Sequence, residues 1–286
     1  MDTDILQIGR LTILSVLDTT TVGRPSAMWP GRATEESLRP HELWLDERGL
    51  MHFRVGSFVI RDGNGPLVLV DTGYGGRQRE PKPGGLRFKT GNLLDGLSRD
   101  GIQPEDVDIV LLTHLHVDHV GWNTIDLDGR PVTTFPKARY LVQQQEWDYW
   151  SHPDRAGSEE HVQDCMLPLQ KAGQLDLLDG EQTISQGITT VSTPGHTPGH
   201  ISVVLISDGE RGVITGDIAH SPIQLTETEW SLALDLDPGL AARTRAAFAE
   251  RFDSEGMAVI GTHFPQPGFG RLIQLEGRRY WRPFEA

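Results

Sequence analysis

A single cysteine, Cys165, stands in 286 residues. That excludes an intrachain disulfide and any metal cage built from thiolates, and it fits a reducing compartment. No run of about 18 apolar residues occurs, so no membrane-spanning helix is expected. The opening residues, MDTDILQIGRLTIL, begin acidic and carry no long apolar stretch, so no secretory signal is expected either. Basic residues are scarce: 26 Lys+Arg face 40 Asp+Glu, for a net charge of −14. A surface of that sign repels phosphate backbones and anionic lipid, which argues against nucleic acid and membrane as partners. Repeats, low-complexity tracts and linkers are missing too. The expectation is one cytoplasmic domain over residues 1–286, large enough for a sizeable core.

What the chain does have is a dense cluster of donors. Ile109–Leu112 is a short apolar run of the kind that forms a buried strand. It leads through Thr113 into His114, His116, Asp118 and His119. Three imidazoles and a carboxylate so close together suit a borderline cation such as zinc. Each of these residues alone is more often a packed or solvated side chain. The crowding is what points to a metal.

The other candidate donors lie far away in sequence but in similar places. Asp71 follows the apolar run 67–70, and His196 sits in the Pro- and Gly-rich turn Thr193–His200. Asp217 follows 213–215, and His263 follows 257–260. Each stands at the end of an expected strand, so the set can converge on one rim. Prolines and glycines around His196 restrict its loop, as a preorganised site requires.

Further strands are expected at 11–17, 57–60, 140–142, 175–178, 188–192, 201–206, 213–215, 257–260, 272–274 and 280–281. The 57–60 and 67–70 strands are joined by the turn Asp62-Gly63-Asn64-Gly65. Helices are expected at 92–100, from 143 to 150, and at 238–252 behind Pro238. One more is expected at 158–172, broken at Pro168. Residues 18–56 and 75–90 read as irregular.

The pattern His-x-His-x-Asp-His, followed by His196, Asp217 and His263, resembles the metallo-β-lactamase superfamily, and the resemblance spans Asp71 to His263. It implies an α/β fold, the four-layer αβ/βα sandwich, with a binuclear metal site at one edge. It further implies that His114, His116 and His196 hold one metal and that Asp118, His119 and His263 hold the other, with Asp217 bridging. Asp71 would orient a ligand imidazole through a hydrogen bond, and His200 could do the same. Two zinc ions are the expected cofactors; manganese, cobalt or iron also suits nitrogen and oxygen donors. A hydroxide shared by two such ions is a nucleophile near neutral pH.

Within the superfamily, a bridging Asp217 argues against lactam hydrolysis, His116 against the flavodiiron branch, and the acidic surface against the RNA-processing branch. The expected activity is hydrolysis of a small neutral lactone, similar to acyl-homoserine lactones. The alternative is an aryl ester or organophosphate hydrolase resembling methyl parathion hydrolase. A glyoxalase II-like thioesterase stands third, because the stretch after His263 is short and strand-like. Many acyl-homoserine lactonases have Tyr three residues after the bridging Asp, whereas this chain has His220. Asp118 and His220 are the candidates for proton transfer to the leaving oxygen. Trp29, Trp44, Phe53, Trp122 and Phe264 are candidates for an apolar pocket. Residues 18–56 are expected to form a lid or the contact of a homodimer.

Overall fold

A computed structural model describes residues 4–63, 65–79, 87–157 and 159–285. Two seven-stranded sheets carry the fold. In chain order the strands are β1 (Ile5–Ile8), β2 (Leu11–Gly23), β3 (Met51–Asp62), β4 (Val68–Val70) and β5 (Ile109–Leu111). Next come β6 (Thr124–Leu127), β7 (Arg130–Thr133), β8 (Arg139–Gln143) and β9 (Leu175–Leu178). The chain then supplies β10 (Thr183–Ser185), β11 (Ile188–Ser192), β12 (Ile201–Ser207) and β13 (Glu210–Ile214). Last are β14 (Ala258–Ile260), β15 (Phe269–Leu275) and β16 (Arg278–Pro283). The first sheet has the order β1-β2-β3-β4-β5-β8-β9, and the second runs β10 to β16 in sequence; β6 and β7 form a separate hairpin.

Alternation along the strands explains why the sheets stack. In β4, Val68 and Val70 face the second sheet while Leu69 faces outward. In β5, Leu111 faces inward and Val110 outward. The second sheet mirrors this: Ile201, Val203, Leu205, Ile214 and Ile260 enter the shared core, and Val204, Val213 and Val259 turn away. Both outer faces therefore need cover. Leu93 and Leu97 of helix Leu93–Arg99 and Trp147 and Trp150 of helix Gln144–Ser151 cover the first. Ala249 and Phe252 of helix Pro238–Ser254 cover the second. The result is the four-layer αβ/βα sandwich expected from the resemblance.

Several local expectations need correction. The first strand is Ile5–Ile8, and the next runs on to Gly23, because its residues pair with β3 out to Gly23 opposite Met51. Residues 18–56 are thus not irregular throughout; only 24–50 leave the sheet. The expected strand 57–60 is the second half of β3. The break in the 158–172 helix is a π-helical stretch, Val162–Met166, ahead of Pro168, which stands in the first turn of the following helix Leu167–Lys171. Asn64 of the expected turn, residues 80–86 and Ser158 lie outside the described residues. The β6–β7 hairpin and β10 had no clear sequence signal, being short and largely polar or exposed.

The aromatic pocket candidates are mostly core. Trp29, Phe53 and Phe264 are buried. Trp29 and Phe53 join Met28, Met51, Trp230 and Leu232 in a cluster that pins residues 24–50 to the chain beyond Asp217. Phe264 packs edge-on against Trp281, and Trp44 lies against that same ring. Partly buried Trp122 donates its Nε1–H to Asp18 at 2.7 Å. Large aromatic surfaces in loops are stabilised by such burial, roughly 1.5–3 kcal/mol per side chain, and so seek the nearest apolar cluster.

Candidate metal centre

Strand direction brings the donors together. β4, β5 and β8 are parallel neighbours, and so are β13 and β14. Asp71 follows the end of β4, and the His114–His119 cluster follows β5. His196 follows β11, Asp217 follows β13, and His263 follows β14. Carboxyl ends of parallel strands share one rim, where open α/β sheets place their sites. All seven expected donors meet there.

They form two groups with a carboxylate between. Nitrogens of His114, His116 and His196 and an oxygen of Asp217 lie within 4.8 Å of one another, as do donors of Asp118, His119 and His263. His116 Nδ1 is 3.0 Å from His114 Nε2 and 2.9 Å from His196 Nε2. Asp217 Oδ2 lies 3.6 Å from His114 Nε2 and 3.4 Å from His196 Nε2. Its Oδ1 lies 3.3 Å from His119 Nε2 and 3.2 Å from His263 Nε2. Asp118 stands farther out, half-buried, with Oδ2 3.7 Å from His263 Nε2.

These distances fit a cation. Four donors at 2.0–2.1 Å from one ion stand roughly 3.3 Å apart along the edges of a tetrahedron. The outward nitrogens settle which atoms face inward. His263 Nδ1 donates to the Arg54 carbonyl at 2.7 Å, and His119 Nδ1 donates to Asp71 Oδ2 at 2.8 Å. His196 Nδ1 donates to Asp235 Oδ1 at 2.9 Å. Thr113 Oγ1 donates to Asp71 and accepts from His114 Nδ1 at 3.1 Å. With the outer nitrogens carrying the protons, lone pairs converge on the centre, and only an extra proton or a cation can stand between them. Asp217 Oδ1 is buried without a hydrogen-bond donor, as suits a carboxylate oxygen that faces a cation. The residues fit a pair of divalent cations.

The electrostatics agree. Burial pushes Asp217 toward its neutral form, yet His119, His263, His220 and His114 outweigh it and hold the carboxyl well below its usual range. Burial opposes charge on His119 as well, but Asp217 and Asp71 together raise it well above the ordinary imidazole value. His196 is raised to about 9, its burial outweighed by Asp217 and Asp235. The carboxylates thus favour positive charge at His119 and His196, while burial holds His114 and His116 well below the ordinary imidazole value, and a bound cation would displace protons from the raised pair.

Asp71 plays the expected orienting part. It adopts a left-handed backbone, φ 57, which an aspartate tolerates better than most side chains. Its Oδ1 accepts from the Thr113 N–H at 2.8 Å. His200 differs from its expectation: it holds the backbone of Asp217 and no imidazole. Asp217 N–H donates to His200 Nε2 at 2.8 Å, while His200 Nδ1 donates to Thr193 Oγ1 at 2.7 Å. Burial, then the neighbouring His196, lowers His200 to about 3, so it is a neutral acceptor. Gly216 makes this contact possible, since a Cβ there would lie 2.7 Å from His200 Nε2.

His220 reaches the centre and is buried. Its Nε2 lies 2.9 Å from Asp217 Oδ2, its ring stacks on His263 at 5.3 Å, and its Nδ1 has no partner. Sequence reasoning missed four supporting residues. Asp235 braces His196, and buried Arg245 donates to Asp235 and to the Ile218 carbonyl beside Asp217. Buried Arg54 donates to the Thr262 carbonyl and to Gln266 behind His263. Glu146 contacts two donor loops. Only Glu146 had a readable signal, its i,i+4 pairing with Trp150 on an expected helix. Trp150 touches one of these residues, its ring 5.4 Å edge-on from His116.

Residues 53–263 match the profile described as the metallo-beta-lactamase superfamily. The chain belongs to that superfamily. Among its relatives is the N-acyl homoserine lactonase of Bacillus thuringiensis, 25% identical over 225 residues, 75% of this chain and 82% of that one. A Bacillus sp. N-acyl homoserine lactonase is 28% identical over 176 residues, 58% of this chain and 63% of its own length. Of solved structures, the hydrolase AbOPH of the beta lactamase superfamily superposes with a TM-score of 0.84 and 29% identity, covering 99% of this chain and 97% of that one. AidC, described as a dizinc quorum-quenching lactonase, shares the fold with a TM-score of 0.80, at 22% identity, over 99% and 97% of the two chains. Family, donor geometry and relatives together support a hydrolase that depends on a divalent cation. No helix among the described residues is long and apolar enough to cross a membrane.

Proposed function

We propose that this chain opens a small neutral lactone, of the acyl-homoserine lactone kind, at a centre of two divalent cations, with zinc as the first choice. His114, His116 and His196 would hold one, Asp118, His119 and His263 the other, and Asp217 would join them. The observation that carries this reading is the two-sided Asp217 carboxylate, one oxygen toward each group. Lactonase relatives supply the substrate class. Bound together, two such ions lower the pKa of water to give a hydroxide nucleophile near neutral pH and polarise a carbonyl.

The chain's own residues then do three things. Asp71, Asp235 and the Arg54 carbonyl hold His119, His196 and His263 in one tautomer and orientation. Half-buried Asp118 is the least enclosed carboxylate of the set and can take and return a proton at the leaving oxygen. His220 stands against Asp217 with a free Nδ1 and would be the second residue to move a proton at the leaving oxygen. Beyond these roles, residues 18–56, of which 24–50 leave the sheet, would serve as a lid or as the contact of a homodimer.

The test is a panel of acyl-homoserine lactones given to metal-reconstituted protein, with acid release followed by pH-stat. Turnover is expected, and none across a broad panel would sink the lactonase reading. His220, in place of tyrosine, favours a second reading, hydrolysis of aryl esters or phosphotriesters, read by release of nitrophenol. The exchange His220→Tyr should raise lactone turnover relative to nitrophenol release. An unchanged ratio would remove the weight placed on this residue.

A further inference from the structure

One buried carboxylate outside the donor set touches both loops of the first group. Glu146, on helix Gln144–Ser151, has no exposed surface. Its Oε1 accepts from the Leu115 N–H at 3.0 Å, and Leu115 stands between His114 and His116. Its Oε2 accepts from the Gly199 N–H at 2.9 Å, in the turn that carries His196. Oε1 also accepts from Trp150 Nε1–H at 2.7 Å, and the Trp150 ring abuts His116. The fit is tight: a Cβ at Gly199 would stand 2.2 Å from the Glu146 amide nitrogen.

A buried carboxylate is costly unless donors surround it, and three N–H groups do so here. The donors come from the His114–His116 loop, the His196 turn and the tryptophan beside His116. None comes from Asp118, His119 or His263. We propose that Glu146 is a positioning residue that fixes the spacing between the His114/His116 loop and the His196 turn. It thereby sets the affinity of the first cation position and leaves the second unaffected. This rests on the two-cation reading above.

The experiment uses Glu146→Gln, which keeps the shape but points an amide N–H at an N–H donor. Zinc retention is measured by chelator competition in two backgrounds. His263→Ala leaves only the first position complete, and His116→Ala leaves only the second. Glu146→Gln should weaken zinc in the His263→Ala background about 10–100-fold and leave the His116→Ala background unchanged. Equal weakening in both backgrounds, or none in either, would overturn the proposal. Should the Gln variant fail to fold, Glu146→Asp withdraws the carboxylate by one methylene and is read the same way. A parent chain that retains one equivalent of zinc instead of two would sink the two-cation reading itself.

Discussion

The two halves of the molecule supply the centre in opposite ways. The first sheet contributes four donors from one stretch, His114 to His119, directly after β5. The second contributes three donors from three connections, after β11, β13 and β14. Their support differs accordingly. Behind the compact cluster stands Asp71 from the adjacent strand, reaching Thr113 and His119 through its two oxygens. Behind the scattered donors stand buried cations: Arg245 ties Asp235 to the turn of Asp217, and Arg54 ties β3 to the loop of His263. The single stretch is braced by carboxylates, Asp71 at Thr113 and His119 and Glu146 at the Leu115 N–H. Three separate connections need long side chains that hydrogen-bond carbonyls across elements, and arginine suits that task because its donors are many and fixed in a plane.

The largest expected effect comes from breaking the residue that joins the halves. Asp217→Asn should lower the metal content from about two equivalents per chain toward one, measured by elemental analysis after desalting. The accompanying loss of activity should exceed the 10–100-fold typical of changes behind a ligand. Two full equivalents with normal turnover would refute the bridge. Next come the braces. Asp71→Asn and Asp235→Asn should each weaken metal retention about 10–100-fold, the first at the His119 position and the second at the His196 position. Asparagine tolerates the left-handed backbone at 71, so folding should survive. If both variants weakened the same ion, the assignment of Asp71 to His119 and of Asp235 to His196 would be wrong.

The smallest effect lies away from the centre, in the first half. Asp108 accepts from the Leu67 N–H at 2.9 Å, and that bond, outweighing partial burial and aided by Lys137, lowers its pKa below the ordinary value. A carboxyl lowered on folding stabilises above its unfolded pKa, and the contribution is lost as pH falls through the folded pKa. Asp108→Asn should therefore lower the urea midpoint slightly at neutral pH and leave it unchanged at about pH 2. A difference that persisted in acid would mean that the side-chain shape, not its charge, holds the two strand starts together.

The clustering of these residues was legible because metal chemistry restricts residue type. Imidazoles and carboxylates at strand ends leave a pattern that survives without any knowledge of contacts. The sheet core was legible for a related reason, since the alternation of β4, β5 and β12 follows from a two-residue period. The aromatic pocket was misread because a loop tryptophan such as Trp29 carries no local signal for which cluster it will fill. The far end of β2 was misread because pairing with β3 extends the strand past the point where its own sequence stops alternating.

The sequence alone thus determined the fold class and the approximate location, at strand ends, of the seven imidazole and carboxylate residues that converge. Tertiary structure decided how they divide into two groups and which oxygen of Asp217 faces each. It also decided that His200 holds the backbone of Asp217, and that Glu146, Asp235, Arg54 and Arg245 stand behind the donors. The reason is physical. Donor identity is set by the chemistry of one side chain, whereas hydrogen-bond direction, tautomer and burial depend on neighbours that are tens to hundreds of residues away in the chain.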